Sequence, residues 1–208
     1  NGFFHLRPSE AKAWGIPKSV LLPAIRNARS LPDTVLTSAD LQRMQQQDAP
    51  MLLLRLRKGE KVAASVRRYL DSAEGQEARK GYKCRTRTPW HVVPDVKIPD
   101  YFLAYMSGRS VALVRNDAEA TCTNSLHALT LHDAADRPAL AAAHTSAFFQ
   151  LSCEIEGHPL GGGMLKLEPR EAARIAIPPA EILATLDRPR VTEAVNDLQR
   201  WRHYADRG

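Results

Sequence analysis

The segment from Tyr82 to Trp90 has the residue types and spacing needed to bind an anion. Lys83, Arg85 and Arg87 alternate with uncharged residues. In an extended chain these three side chains would point to one side, about 7 Å apart from one to the next. That spacing is close to the distance between successive phosphates of one nucleic-acid strand. Trp90 adds a flat ring on which a base or sugar could stack. The alternative is a solvated edge strand with Trp90 in the core.

The charge distribution also favours an anionic partner. The chain of 208 residues has a formal net charge of +6. The segment from Arg55 to Arg87 holds 11 basic and 4 acidic residues, a net charge of +7 that leaves −1 for the remainder. A local excess of this kind is typical of proteins that bind polyanions, although a solvated helix face would show it as well. Arg55 and Arg57 would share one face of a predicted strand and are further candidate contacts.

Two asparagines and a histidine are weaker candidates for nucleic-acid contact. Asn116 and Asn124 flank a turn-rich stretch. An asparagine amide can pair with adenine, but the residue serves more often in turns and caps. His127 lies in a predicted strand, where a histidine more often packs than catalyses.

The glycine run Gly161–Gly163 could bring the backbone close to a ligand. It lacks the Gly-Lys-Ser/Thr ending of a P-loop. We therefore expect a hinge or a close backbone approach around Gly162, with Lys166 near a phosphate.

No catalytic motif stands out in the sequence. Cys84, Cys122 and Cys153 are far apart and form no C-x-x-C pair, so we expect structural thiols without a disulfide framework or a zinc site. Neither G-x-S-x-G nor H-E-x-x-H occurs. A cysteine–histidine pair formed only in the fold stays an open alternative.

Composition is that of an ordinary folded protein, with 44% hydrophobic and 25% charged residues. The length suits one large domain or two small ones. No apolar run approaches the roughly 18 residues of a membrane-spanning helix. The chain begins without Met, and we expect it to be a piece of a longer protein.

Hydrophobic periodicity predicts an α+β fold: a mixed domain with a central group of strands, flanking amphipathic helices and a C-terminal helix. The stretch 71–80 is predicted to be mobile, 89–99 to be a loop, and 187–190 to be a possible domain boundary. The predicted helices are one beginning near Ser19, then Ala39–Gln46, Glu60–Leu70, Pro138–Glu156, Arg170–Arg174 and Val191–Tyr204. The predicted strands are Phe3–Leu6, Met51–Arg57, Tyr101–Met106, Val111–Arg115 and Ser125–His132.

Four segments, in this order, resemble the C-terminal half of adenine-specific DNA methyltransferases of bacterial restriction–modification systems. They are Asn1–Leu6, Lys83–Trp90, Asn116 with Thr123–His127, and Gly161–Pro169. The Lys-Cys-Arg-Thr-Arg-Thr-Pro-Trp and Gly-Gly-Gly-Met-Leu-Lys-Leu-Glu-Pro runs are together fairly specific.

The resemblance implies that residues 1–208 form a target-recognition domain that grips double-stranded DNA. In that family an N-terminal catalytic domain binds S-adenosylmethionine and carries an Asn/Asp-Pro-Pro-aromatic motif that acts on a flipped adenine. Here Ile177 precedes Pro178-Pro179 and Ala180 follows, so that motif is absent. We expect no catalytic residue, metal or cofactor in this chain, a catalytic domain and DNA as partners, and a cytoplasmic location.

Two other functions remain open. The first is a protein-interaction module that presents its basic surface to an acidic partner and docks another chain through the helix bearing Trp201. The second is a small hydrolase that uses a cysteine and a histidine.

Overall fold

The chain folds into two compact units in a computed structural model that describes residues 2–203. The first unit comprises Asn1–Arg26, Thr37–Ile98 and Ala118–Cys122; the second comprises Asn27–Leu36, Pro99–Asp117 and Thr123–Gly208. By sequence the first unit has 17 Lys and Arg against 9 Asp and Glu, a charge of +8. The second has 12 against 14, a charge of −2. The excess positive charge therefore belongs to the first unit.

Helices occur in both units. In the described part of the chain they are α1 (Pro8–Ala13), α2 (Ser38–Gln46), α3 (Ala64–Leu70), α4 (Ala73–Lys80), α5 (Tyr82–Arg85), α6 (Arg137–Ala143), α7 (Ala147–Glu156), α8 (Pro169–Ala172), α9 (Ala180–Thr185) and α10 (Arg188–Arg202). Single 3₁₀ turns form at Gly2–Phe4, Lys18–Val20, Ala28–Ser30, Ala134–Asp136 and Gly161–Gly163.

The strands are short, and together with the helices they confirm the predicted α+β class. They are β1 (His5–Leu6), β2 (Leu21–Ile25), β3 (Val35–Leu36), β4 (Leu52–Leu54), β5 (Tyr101–Ala104), β6 (Met106–Ser107), β7 (Leu113–Asn116), β8 (Thr121–Cys122), β9 (Leu126–Leu129), β10 (His158–Pro159) and β11 (Leu165–Lys166).

A four-stranded sheet forms the centre of the first unit. Its strand order is β1-β4-β2-β8, in which β2 is antiparallel to β4 and parallel to β8. Leu6, Leu53 and Leu54 of this sheet are buried and belong to one core with Val66 and Leu70 of α3. Burying these apolar side chains is the main favourable contribution to the stability of the unit.

An aromatic cluster links the start of the chain to α3 and to the loop after α5. Phe3 stacks on Tyr69 with ring centroids 4.6 Å apart, and the Tyr69 hydroxyl donates to the Phe3 carbonyl oxygen at 2.6 Å. The Trp90 ring lies 6.0 Å from that of Phe4 and 6.2 Å from that of Phe3. These contacts fix the position of the loop that follows Arg87.

Two sheets and the pair α7–α10 build the second unit. The larger sheet has the order β3-β7-β5-β9, and the smaller has the order β10-β11-β6. The central strand β5 is buried at all four positions, as expected for a strand paired on both sides and covered on its faces. Leu103, Leu113, Phe149 and Leu165 share one core.

Three helix predictions and the prediction that 71–80 is mobile were wrong. The predicted helix near Ser19 is a single 3₁₀ turn followed by strand β2, where Pro23 opposes a continued helix. The predicted helix Glu60–Leu70 begins only at Ala64, because Glu60 instead accepts a hydrogen bond from the Arg57 amide at 2.9 Å.

The other two differences come from serine caps. The stretch 71–80, predicted to be mobile, contains α4, because the Ser72 side chain accepts from the Gly75 amide at 3.1 Å and starts a helix. The predicted helix 138–156 is two helices, because Ser146 caps α7 by accepting from the Phe149 amide at 3.1 Å. The segment 187–190 marks the capped start of α10 inside the second unit.

No helix in the described part of the chain is long and apolar enough to cross a membrane.

Candidate nucleic-acid interface

A groove in the first unit collects three arginines beside a tryptophan. We call it the arginine groove; it has a volume of about 490 Å³ and is lined by Arg79, Cys84, Arg85, Arg87, Thr88, Pro89, Trp90 and His91. Helix α4 contributes Arg79 from its last turn, α5 contributes Cys84 and Arg85, and the following loop supplies the rest.

The electrostatics of the arginine groove favour an anion. None of its lining residues is Asp or Glu. Among the residues that the structure describes, no hydrogen bond or ion pair engages the guanidinium groups of Arg79, Arg85 and Arg87. A guanidinium binds phosphate oxygens in a fork of two hydrogen bonds, and its charge strengthens both. The groove can therefore hold phosphate groups without first breaking an internal ion pair.

The predicted extended alternation of Lys83, Arg85 and Arg87 was wrong. Lys83 and Arg85 lie in the four-residue helix α5, whose backbone is closed by bonds such as Cys84 N to Gly81 O at 2.9 Å. Residues two apart on a helix point in nearly opposite directions. The side chains of Lys83 and Arg85 therefore do not line up along one strand face.

Lys83 instead faces a second groove of the first unit, which is less favourable to anions. Its lining includes Glu74 and Glu77 of α4 and the exposed ring of Tyr82. The two carboxylates oppose the charge of Lys83 there, so we assign the arginine groove, without Lys83, as the candidate site.

Trp90 has one role in packing and one in lining the groove. Its ring is half-buried against Phe3 and Phe4, as the core alternative predicted, and it meets His91 edge-on at 5.9 Å. Burial lowers the pKa of His91, which keeps its imidazole neutral at pH 7. The groove therefore owes its charge to the arginines.

Arg55 and Arg57 follow strand β4 rather than lying within it. The strand ends at Leu54, three residues before the predicted end. Arg55 is half-buried and Arg57 is exposed, while Leu54 and Leu56 are buried. Neither arginine lines the arginine groove.

Asn116, Asn124 and His127 belong to the second unit, and two of these three have structural partners. The Asn116 amide donates to the Pro99 carbonyl oxygen at 2.8 Å. The Nε2 atom of His127 lies 2.8 Å from the Leu167 carbonyl oxygen, to which it donates. Asn124 is exposed in a turn. Of these three, only Asn124 presents its side chain to solvent.

The backbone of the glycine run does approach another group closely. The close contact is with the His203 ring, and it occurs at Gly163 rather than at Gly162. Both have positive φ, +71° and +72°, which favours glycine. Gly162 is exposed in open space, whereas a Cβ on Gly163 would collide with the His203 ring. Nearby, Lys166 pairs with Glu168 at 2.5 Å, and that carboxylate raises the pKa of its ammonium group.

Sequence reasoning missed two residues of the arginine groove, Arg79 and His91. Arg79 was counted in the basic window, but its place beside Arg85 depends on the turn between α4 and α5, which the sequence did not predict. His91 directly follows Trp90 in the sequence, and that adjacency was the only available signal. No cluster of three or more His, Cys, Asp or Glu side chains that could hold a metal occurs in residues 2–203.

Comparisons with known proteins agree with the resemblance seen in the sequence. The family model described as the C-terminal domain of the type II methyltransferase M.Eco57I matches residues 1–206. The type II methyltransferase M.AccI of Acinetobacter calcoaceticus is 22% identical over 129 residues, which cover 62% of this chain and 24% of that protein.

A solved structure, that of the type IIG restriction endonuclease BpuSI, aligns with a TM-score of 0.49 and 13% identity over 94% of this chain and 23% of its own. The chain thus spans about a quarter of the length of each of these two relatives. Because the family model matches nearly the whole chain, the chain belongs to the M.Eco57I family of methyltransferase C-terminal domains.

Proposed function

We propose that this chain is the DNA target-recognition domain of a site-specific adenine methyltransferase of a restriction–modification system. It grips duplex DNA so that a separate N-terminal domain of the same protein can methylate a flipped adenine. That catalytic domain would bind S-adenosylmethionine, and this chain would supply neither cofactor contacts nor catalytic residues. In this proposal the methyltransferase activity belongs to the whole parent protein, of which this chain is one domain. The parent protein would act in the cytoplasm.

The unpaired arginines of the arginine groove carry the proposal. Arg79, Arg85 and Arg87 lie together with no carboxylate among the groove residues. They belong to the unit with a charge of +8. Phosphate contacts of this kind give sequence-independent affinity and position a protein on the duplex.

Fluorescence anisotropy with a random-sequence duplex tests the proposal. Each phosphate that the protein neutralises steepens the dependence of log K on log salt by about 0.9. We expect this chain to show a slope of about −4 or steeper, from the groove arginines and other cations of the first unit. No binding at low salt, or a slope near zero, would contradict the proposal.

Exposed apolar side chains in the second unit support a protein-interaction role as a second candidate. Trp201 is 74% exposed and Ile155 is 65% exposed. A groove of about 380 Å³ lies beside Trp201, and its lining includes Leu198, Pro159 and Leu160. Exposed apolar patches often mark contacts with another protein surface. Self-association that salt does not weaken, without DNA affinity, would favour this candidate over the first.

The hydrolase alternative has the weaker support. Cys84 and His91 both line the arginine groove, but Cys84 is only 1% exposed, so a substrate could not reach its thiol. Burial raises the pKa of Cys122 to about 11 and of Cys153 to about 12. These two thiols would carry almost no nucleophilic thiolate at pH 7.

A further inference from the structure

The outer face of α10 forms a second polar groove, in the second unit. We call it the α10 face; it is lined chiefly by Arg109, Arg188, Thr192, Asn196, Gln199 and Arg200 and encloses about 960 Å³. The five residues from α10 recur at intervals of one to four positions along one side of the helix. Val195 borders this face and is buried, and α10 packs on α7.

A buried arginine holds Arg109 beside this helix. Arg202 is 5% exposed, and its guanidinium donates to the carbonyl oxygens of Gly108 at 2.8 Å and Arg109 at 3.0 Å. The same guanidinium pairs with both carboxylate oxygens of Glu154, at 2.8 Å and 3.1 Å. The Nε2 atom of His203 lies 2.7 Å from the Gly108 carbonyl oxygen. The loop that carries Arg109 is thus fixed to the end of α10.

The α10 face presents hydrogen-bonding groups that the fold does not use. Within residues 2–203, the side chains of Arg109, Arg188 and Asn196 have no hydrogen-bond or ion-pair partner. Asparagine pairs with the edge of adenine and arginine with the edge of guanine, each through two hydrogen bonds. Glu193 also lines the groove, and a carboxylate can accept from the amino group of cytosine.

The polar groups of the α10 face are better suited to hydrogen bonds with base edges on the floor of a DNA groove than to contacts with phosphates. The second unit has a net charge of −2, so it offers little general attraction for a polyanion. A 15-residue helix with arginine, asparagine and glutamine side chains on one side has the dimensions and chemistry to enter the major groove.

We infer that the α10 face reads base-pair edges in the major groove, with Asn196 and Arg188 as residues that determine sequence specificity. This inference rests on the proposed function. The two units then have different roles in DNA binding. The arginine groove binds phosphates of any sequence, and the α10 face selects among sequences.

Selection from a randomised duplex library, followed by sequencing, tests this division. The wild-type chain is compared with the variants Asn196→Ala and Arg188→Ala. Arg190→Ala is the matched control, because Arg190 is an exposed arginine of the same helix that does not line the groove. We expect the wild type and the control to enrich the same short motif. We expect each test variant to lose the preference at one or two base pairs, with the affinity ratio of motif to random duplex falling about tenfold.

The outcomes separate this inference from the proposed function. Alanine is a better helix former than asparagine, so a loss of specificity in Asn196→Ala with unchanged helical circular dichroism is not a folding defect. If both variants keep the wild-type motif, or if the wild type binds random duplex with a steep salt slope but enriches no motif, the inference is overturned and the proposed function stands. If the wild type binds no duplex at all, both fail.

Discussion

Single arginine residues occupy two contrasting environments in this chain. Arg202 is buried and paired with Glu154, with further bonds to backbone carbonyls. Arg79, Arg85 and Arg87 line a groove without a carboxylate. A buried charge is tolerated only when it is paired, whereas an unpaired guanidinium persists where water or a ligand can reach it. The first arginine is therefore structural, and the other three are available for an anionic ligand.

Substitution of Glu154 tests the structural role of the buried pair. Glu154→Gln leaves the Arg202 charge buried without its counter-ion, so we expect the free energy of unfolding to fall by about 3–5 kcal/mol in urea titrations. Glu156→Gln is the control, because it lies on the same helix and its partner Arg174 is 65% exposed. There we expect a loss under about 1 kcal/mol. Equal losses in both variants would contradict the assignment.

His5, in strand β1, makes the stability of the folded chain depend on pH. Burial, reinforced by the charge of Arg26, lowers the pKa of His5 to about 4 from its ordinary value of 6.5. The unfolded chain then binds the proton more readily than the folded chain, so this residue reduces stability as the pH falls from 6.5 towards 4.

The variant His5→Gln removes this proton uptake. We expect it to lose less stability than the wild type between about pH 7 and pH 4, by about 1–2 kcal/mol, because the ring is only partly buried. Carboxylates titrate equally in both proteins, so the difference between them isolates His5. Parallel stability curves in urea unfolding would show that the histidine does not contribute.

At the scale of elements, the turn between α3 and α4 depends on one glycine. A Cβ at Gly75 would collide with the Leu70 carbonyl group. Intrinsic helix propensity alone predicts that Gly75→Ala stabilises the protein by about 1 kcal/mol. We expect the opposite, a loss of about 1–3 kcal/mol in thermal or urea unfolding, because the helices must move apart.

A control variant separates these two effects. Ala73→Gly, at the exposed first position of the same helix, should cost less than about 1 kcal/mol through propensity alone. If Gly75→Ala proves more stable than the wild type, the close approach is not a constraint.

Elements with strong local signals were the ones predicted correctly. Helix α2 begins where Thr37 and Asp40 cap each other, the Thr37 amide donating to the Asp40 carboxylate at 2.7 Å. The predicted strands Tyr101–Met106 and Ser125–His132 contain β5 and β9, although both extend beyond the observed ends. In both cases a few neighbouring residues determine the structure.

The helix α5 shows why the candidate site was only partly predicted. Only Cys84 of its four residues is buried, so hydrophobic periodicity had almost nothing to detect. The alternating charges suggested a strand, and the groove instead arises because α4 brings Arg79 beside Arg85 and Arg87. The residue types were in the sequence, but their grouping depends on tertiary structure.

At the scale of the whole molecule, the charge is divided unequally between the two units, as the proposed division of function requires. The first unit has a charge of +8 and the second a charge of −2. Electrostatic attraction to a polyanion therefore acts mainly on the first unit. If the chain binds DNA as proposed, we expect most of the salt dependence of binding to come from that unit.

The most direct test is the salt dependence of duplex binding by a variant that lacks all three groove arginines. For Arg79→Ala/Arg85→Ala/Arg87→Ala we expect lower affinity for every sequence and a log–log salt slope reduced in magnitude by about 3. Lys12→Ala, an exposed lysine of the same unit outside the groove, should change the slope by less than one. A triple variant that binds with the wild-type affinity and slope would contradict the assignment of the arginine groove as the phosphate-binding site.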